Sequence, residues 1–96
     1  MKTVLITGAT SGFGKAMAQT FAANHYNIII TGRRADRLNA LQQELTGKYA
    51  IQAHALVFDV RDKEAVFKAV AQLPDHLKAI DILINNAGLA LGRDYF

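Results

Sequence analysis

The sequence predicts an α/β protein, a doubly wound parallel sheet in the order 3-2-1-4 with helices on both faces, and three observations carry that reading. Four short runs rich in β-branched and aliphatic residues recur along the 96 residues: TVLIT (3–7), NIIITG (27–32), AHALVF (53–58) and DILIN (81–85). Three stretches with helical apolar spacing separate them. The alternation is unbroken, and a strand that rejoins its sheet through a helix runs parallel to its predecessor, by a right-handed crossover.

The strands are almost continuous in apolar letters rather than alternating, the pattern of strands covered on both faces. The first helix is expected from about Phe13 to Asn24, with Phe13, Met17 and Phe21 on its buried stripe. The second runs from about Asp36 to Leu45 with Leu38, Leu41 and Leu45 inward, and the third from about Lys63 to Leu73 with Val66, Phe67 and Val70 inward. Asp36 and Asp62 are placed to accept amide hydrogen bonds at helix starts, Gly47 to take a left-handed position after the second helix, and Pro74 to stop the third. The strand order reverses between strands 1 and 4. Ligands bind beyond the carboxyl ends of strands at such a reversal, so Gly8 and Gly88 are expected to face one crevice.

Composition bounds the function. The length suits one domain, and no run approaches the roughly 20 apolar residues of a membrane span. Met1-Lys2 leads straight into a strand with no signal-peptide pattern, so a cytoplasmic location without a membrane partner is expected. The absence of cysteine excludes disulfides, thiolate catalysis and thiolate-bound zinc. Net charge is +3, but apart from Arg33, Arg34 and Arg37 the cations are scattered and not interleaved with aromatics, which favours a local anionic ligand over nucleic acid. His25, His54 and His76 lack ligand spacing, so no metal site is expected. Tyr26 and Tyr49 read as packing residues and Asp81 as the start of strand 4.

The stretch TGATSGFG (7–14) carries the chemistry. A phosphate bound at a helix N-terminus needs bare backbone amides, and side chains at the turn would hold it away. Gly8 permits a tight exit from strand 1, Gly12 a close backbone approach, and Gly14 close packing of helix on sheet, while Thr10 and Ser11 offer hydroxyls. The spacing lacks the Lys-Ser/Thr ending of a nucleoside-triphosphate loop.

Thr7, Gly8, Gly12 and Gly14 match the T-G-x-x-x-G-x-G fingerprint of the short-chain dehydrogenase/reductase family, and Asn85, Asn86, Ala87 and Gly88 match its N-N-A-G motif. The chain therefore resembles the amino-terminal part of that family's Rossmann domain, and the resemblance implies a dinucleotide across the crevice. Phe13 falls inside the fingerprint and belongs to the implied site with Gly8, Thr10, Ser11, Gly12 and Gly14. Resemblance further implies that Asp59 bonds the adenine amino group, that the Val60 backbone contacts the ring, and that Asn86, Ala87 and Gly88 line the ribose and nicotinamide side.

The residue ending strand 2 selects between NAD and NADP, since a carboxylate there binds the ribose 2′-hydroxyl and repels a 2′-phosphate. Gly32 stands at that position and Arg33 follows, with a guanidinium suited to forked bonds to phosphate, so the cofactor is expected to be NADP. Arg34 and Arg37 can add positive potential there, but each reads first as a solvated residue at a helix start. Many NADP members also carry a basic residue before the second fingerprint glycine, where this chain has Ser11.

Family catalysis uses a Tyr-x-x-x-Lys pair and a serine from later elements, and none of the three tyrosines has a lysine four residues on. Residues 1–96 thus correspond to a dinucleotide-binding domain truncated before the catalytic part, without catalytic residues of its own. The implied reaction is hydride transfer between nicotinamide and an alcohol or carbonyl carbon of a small-molecule substrate. NNAGLALG and TGRRADRL resemble the NADP-dependent subgroup that acts on 3-hydroxy acids and serine-like substrates. A non-catalytic NADP-binding or interaction module is the alternative. An unpaired strand 4 predicts association between copies.

Overall fold

The computed structural model describes residues 1–59, 62–75 and 79–85. Its elements are β1 (Thr3–Thr7), α1 (Gly12–Ala23), β2 (Asn27–Gly32), α2 (Ala35–Lys48), β3 (Ala53–Val57), α3 (Lys63–Ala71) and β4 (Ile82–Asn85). The sheet is parallel in the order β3-β2-β1-β4, as the alternation of elements predicts.

Alternate residues of each strand serve opposite faces, and both faces are apolar. Val4, Ile6, Ile28, Ile30 and Ala53 meet Ala18 and Ala22 of α1 and Leu38, Leu41 and Leu45 of α2 in one core. Leu5 and Ile29 face the other way and meet Leu73. The isoleucines of β2 are wholly buried, each worth about 1.5–3 kcal/mol relative to exposure. That burial on both faces explains why NIIITG has no polar alternation.

Helix α1 departs from expectation. Phe13 is 64% exposed, and the buried stripe is Gly14, Ala18 and Ala22, with Met17 and Phe21 only half-buried beside it. A stripe of Gly and Ala lets the helix axis approach the sheet closely, and larger side chains are turned to the flanks. Phe67 of α3 is likewise 70% exposed, against its expected inward position. The side chains of Val66 and Val70 lie outside the described residues. Leu73 does reach the core, from beyond the end of α3, and Pro74 follows it.

Helix α2 begins at Ala35, after Arg34 in extended conformation, so Asp36 sits inside the first turn rather than capping it. Its charge there still complements the helix dipole. The helix runs through Gly47 to Lys48, which overturns the left-handed cap expected at Gly47; Leu45 is buried, the Tyr49 amide bonds Leu45 O at 2.9 Å, and Tyr49 leaves in extended conformation. Asp62 does cap α3, its Oδ1 accepting the Ala65 amide at 3.2 Å.

Strand β3 stops at Val57, although the Phe58 amide still donates to Gly32 O at 3.0 Å. Asp81 stands one residue before β4 and ties it to β1: the Thr3 amide donates to Asp81 Oδ2 at 2.8 Å, and the Asp81 amide returns a bond to Thr3 O at 2.9 Å. Together these align Val4 with Ile82 and carry the register up to Thr7 opposite Asn85. Asp81→Ala is expected to destabilise the protein by about 1–2 kcal/mol and Asp81→Asn, which keeps an acceptor, by less than half of that, as measured by urea denaturation.

Candidate dinucleotide-binding site

Because every strand of the sheet runs the same way, their carboxyl ends share one edge, and each segment singled out in the sequence leaves from it. Gly8 follows β1, Arg33 follows β2, Asp59 lies two residues past β3, and Asn85 ends β4 beside Thr7. The fingerprint loop and the Asn-Asn-Ala-Gly segment therefore start as neighbours. Val60, Asn86, Ala87 and Gly88 lie outside the described residues.

The loop is built by its own hydrogen bonds. Gly8 has φ 62°, a left-handed conformation that costs an L-residue roughly 1 kcal/mol and glycine little. It turns the chain so that the Ser11 amide and Ser11 Oγ both donate to Gly8 O, at 3.2 and 2.9 Å. Ser11 is also the N-cap of α1, its Oγ accepting the Gly14 amide at 3.3 Å while its carbonyl accepts the Lys15 amide at 2.8 Å. The Ser11 hydroxyl thus works inside the loop rather than being offered outward. Thr7 is fully buried, with Oγ1 donating to Ile84 O at 3.4 Å, and the Ala9 amide bonds Thr31 O at 3.1 Å, which pins the loop across β2.

A helix leaves its first amides without partners within the helix. With those of Gly14 and Lys15 satisfied by Ser11, the amides of Gly12 and Phe13 remain at the helix end, and among the described residues a Cβ on Gly12 would meet nothing within 4 Å. The space over the N-terminus of α1 is therefore open, and its electrostatic potential is positive from the helix dipole. Gly14, by contrast, is buried against the sheet. The residues present fit a diphosphate group.

On the β2 side, a Cβ on Gly32 would lie 3.5 Å from Leu38 Cδ1 and 3.9 Å from the Thr10 side chain. The end of β2 and the fingerprint loop thus come within van der Waals distance, with no carboxylate between them. Arg33, Arg34 and Arg37 are all exposed next to this junction. Sequence reasoning missed one neighbour: Lys15, on the first turn of α1, lines a groove of about 370 Å³ with Thr10, Arg37, Ala40, Leu41 and Glu44. Only the packing of α1 against α2 brings Lys15 and Arg37 together, so no local motif could announce them. Asp59 is half-buried, and its carbonyl accepts the Asp62 amide at 2.9 Å. Among the described residues no group of three His, Asp or Glu side chains could hold a metal ion, and no helix is long and apolar enough to cross a membrane.

An open glycine-lined helix N-terminus at the carboxyl edge of a parallel sheet, next to the strand-order reversal, defines the nucleotide-binding class of doubly wound proteins. Residues 2–95 match the short chain dehydrogenase family, and the chain belongs to it. It is 57% identical over 90 residues to serine 3-dehydrogenase of Rhizobium radiobacter, covering 94% of this chain and 34% of that protein. It is 48% identical over 91 residues to the NADP-dependent 3-hydroxy acid dehydrogenase YdfG of Salmonella typhi, covering 95% and 35% respectively. The L-sorbose reductase of Gluconobacter frateurii, solved with NADPH and L-sorbose, superposes with a TM-score of 0.84 at 34% identity over 92% of this chain and 34% of that one. The chain thus spans about a third of the length of these relatives.

Ser11→Ala removes both the cap of α1 and the brace on Gly8. It is expected to lower stability by about 1 kcal/mol in thermal or chemical denaturation, whereas Ser11→Thr, which keeps the hydroxyl, loses less than half of that.

Proposed function

We propose that residues 1–96 form the NADP-binding portion of a cytoplasmic short-chain oxidoreductase acting on a small 3-hydroxy acid, with serine-like compounds the favoured class. The observation that carries this reading is the meeting of the fingerprint loop with the end of β2: Thr10 stands against Gly32, a strand end with no carboxylate and an arginine next in line, while among the described residues the space at Gly12 is open. The names of the relatives supply the substrate class, since serine 3-dehydrogenase and a 3-hydroxy acid dehydrogenase share about half of these residues.

In this reading Gly8 shapes the turn, the amides of Gly12 and Phe13 bind the diphosphate, and Gly14 keeps α1 close to the sheet. Thr10 borders the adenosine ribose, Arg33 binds its 2′-phosphate, and Asp59 with the Val60 backbone holds adenine. Asn86, Ala87 and Gly88 leave room for the flat nicotinamide. When bound, the cofactor supplies a hydride acceptor or donor at nicotinamide C4. The chain's own residues bind and orient.

The test is calorimetric titration of the full-length protein. NADP is expected to bind at least about tenfold more tightly than NAD, a difference near 1.4 kcal/mol, and Arg33→Ala to abolish most of that preference. Gly12→Ala is expected to leave the melting temperature nearly unchanged, because its Cβ enters empty space, yet to weaken both dinucleotides about tenfold or more by filling the diphosphate gap. Equal affinity for NADP and NAD in the unmodified protein would refute the cofactor assignment.

The free edge of β4 supports association between copies: among the described residues this strand pairs with β1 alone. The 96-residue polypeptide by itself is expected to scatter light as a dimer or larger species at micromolar concentration and to show no hydride transfer to NADP. A sharp monomer peak would refute the first expectation and turnover the second.

A further inference from the structure

We propose that Lys15 and Arg37 are specificity-determining residues that hold the cofactor's ribose 2′-phosphate from the side opposite Arg33, in the groove between the first turns of α1 and α2. The inference rests on the NADP reading above and deepens it.

The groove opens at the place where that reading needs a phosphate pocket. Thr10 lines it, and Thr10 is also the residue whose side chain stands 3.9 Å from a Cβ position on Gly32, the end of the strand that faces the ribose. The groove is therefore continuous with the junction of β2 and the fingerprint loop. Its volume, about 370 Å³, accommodates a phosphate group with water around it.

Its charge pattern selects an anion. Lys15 and Arg37 face the same space from two helices, and two like charges sharing a groove are stabilised by an anion between them. Both lie in the first turn of their helix, where the backbone dipole adds to the positive potential instead of offsetting it. Among the described residues the one carboxylate lining the groove is Glu44, seven positions beyond Arg37 on α2, and its Oε2 accepts a hydrogen bond from Gln19 Nε2 at 2.9 Å. Glu44 is thus engaged beside Gln19, one turn beyond Lys15 on α1, and the two cations outnumber it in the groove. Ala40 and Leu41 complete the lining with apolar surface, against which charge pairs are screened less than in open water.

A phosphate at this position is gripped on two sides. Arg33 reaches it from the end of β2 with a planar fork, and Lys15 and Arg37 reach it from the helices. This arrangement also accounts for how a chain with Ser11 before the second fingerprint glycine concentrates positive charge on the loop side of the ribose: Lys15, one turn along α1, occupies that side.

The experiment uses the full-length protein and measures the ratio of NADP to NAD affinity by calorimetry, at several salt concentrations. Lys15→Gln and Arg37→Gln are each expected to lower the ratio about three- to tenfold, and to flatten the salt dependence of NADP binding while leaving that of NAD as it was. Glu44→Gln is expected to raise the ratio about twofold, a gain that loss of packing would not produce. If a glutamine variant fails to fold, Lys15→Met and Arg37→Met decide instead: each removes the charge and keeps an apolar stem, and a lowered ratio supports the assignment whereas an unchanged ratio overturns it. A normal preference for NADP in the unmodified protein that Lys15→Gln and Arg37→Gln leave intact, while Arg33→Ala destroys it, would overturn this inference and leave the NADP reading standing. Absence of any NADP preference in the unmodified protein would overturn both.

Discussion

β1 is buried along its whole length between β2 and β4, with helices needed on both faces, and the rest of the structure depends on that confinement. A strand enclosed in this way cannot continue past the sheet without exposing apolar surface or stranding backbone amides. The chain must reverse over the sheet within a few residues and begin a helix. Gly8 in a left-handed conformation, and Ser11 as a cap bonded back to Gly8, perform the reversal. The by-product is a helix N-terminus at the carboxyl edge of the sheet, with the amides and dipole that favour a phosphate group.

The same confinement explains the small residues of α1. Gly14, Ala18 and Ala22 form the surface that meets the sheet, so the helix sits close and its first amides come near the crevice. A stripe of Phe13, Met17 and Phe21 would hold the helix further out. Phe13 is accordingly exposed at the mouth of the loop, although its letter in isolation reads as core.

Around this frame the charges are arranged by neighbouring elements. Gly32 leaves the end of β2 without a carboxylate and is followed by the exposed Arg33, while Lys15 of α1 and Arg37 of α2 line one groove with Thr10. Membership of the short chain dehydrogenase family is consistent with a dinucleotide in this crevice, and the positive potential favours the more highly phosphorylated one.

Read by itself, the sequence determined the element types, the parallel order 3-2-1-4 and the glycine fingerprint, because fully buried strands and glycine-bearing turns leave unmistakable local composition. Gly12 and Gly8 were legible for that reason. Helix faces and ends were less so: Phe13 and Phe67 were expected inside, and Gly47 was expected to end α2, yet the depth at which α1 meets the sheet and the burial of Leu45 decided otherwise. Only tertiary structure brought Thr10 against Gly32 and Lys15 beside Arg37, since those pairs come from separate elements and no periodicity records the distance between two helices. Local propensity is written along the chain, whereas the meeting of side chains across a groove depends on how closely the elements that carry them can pack.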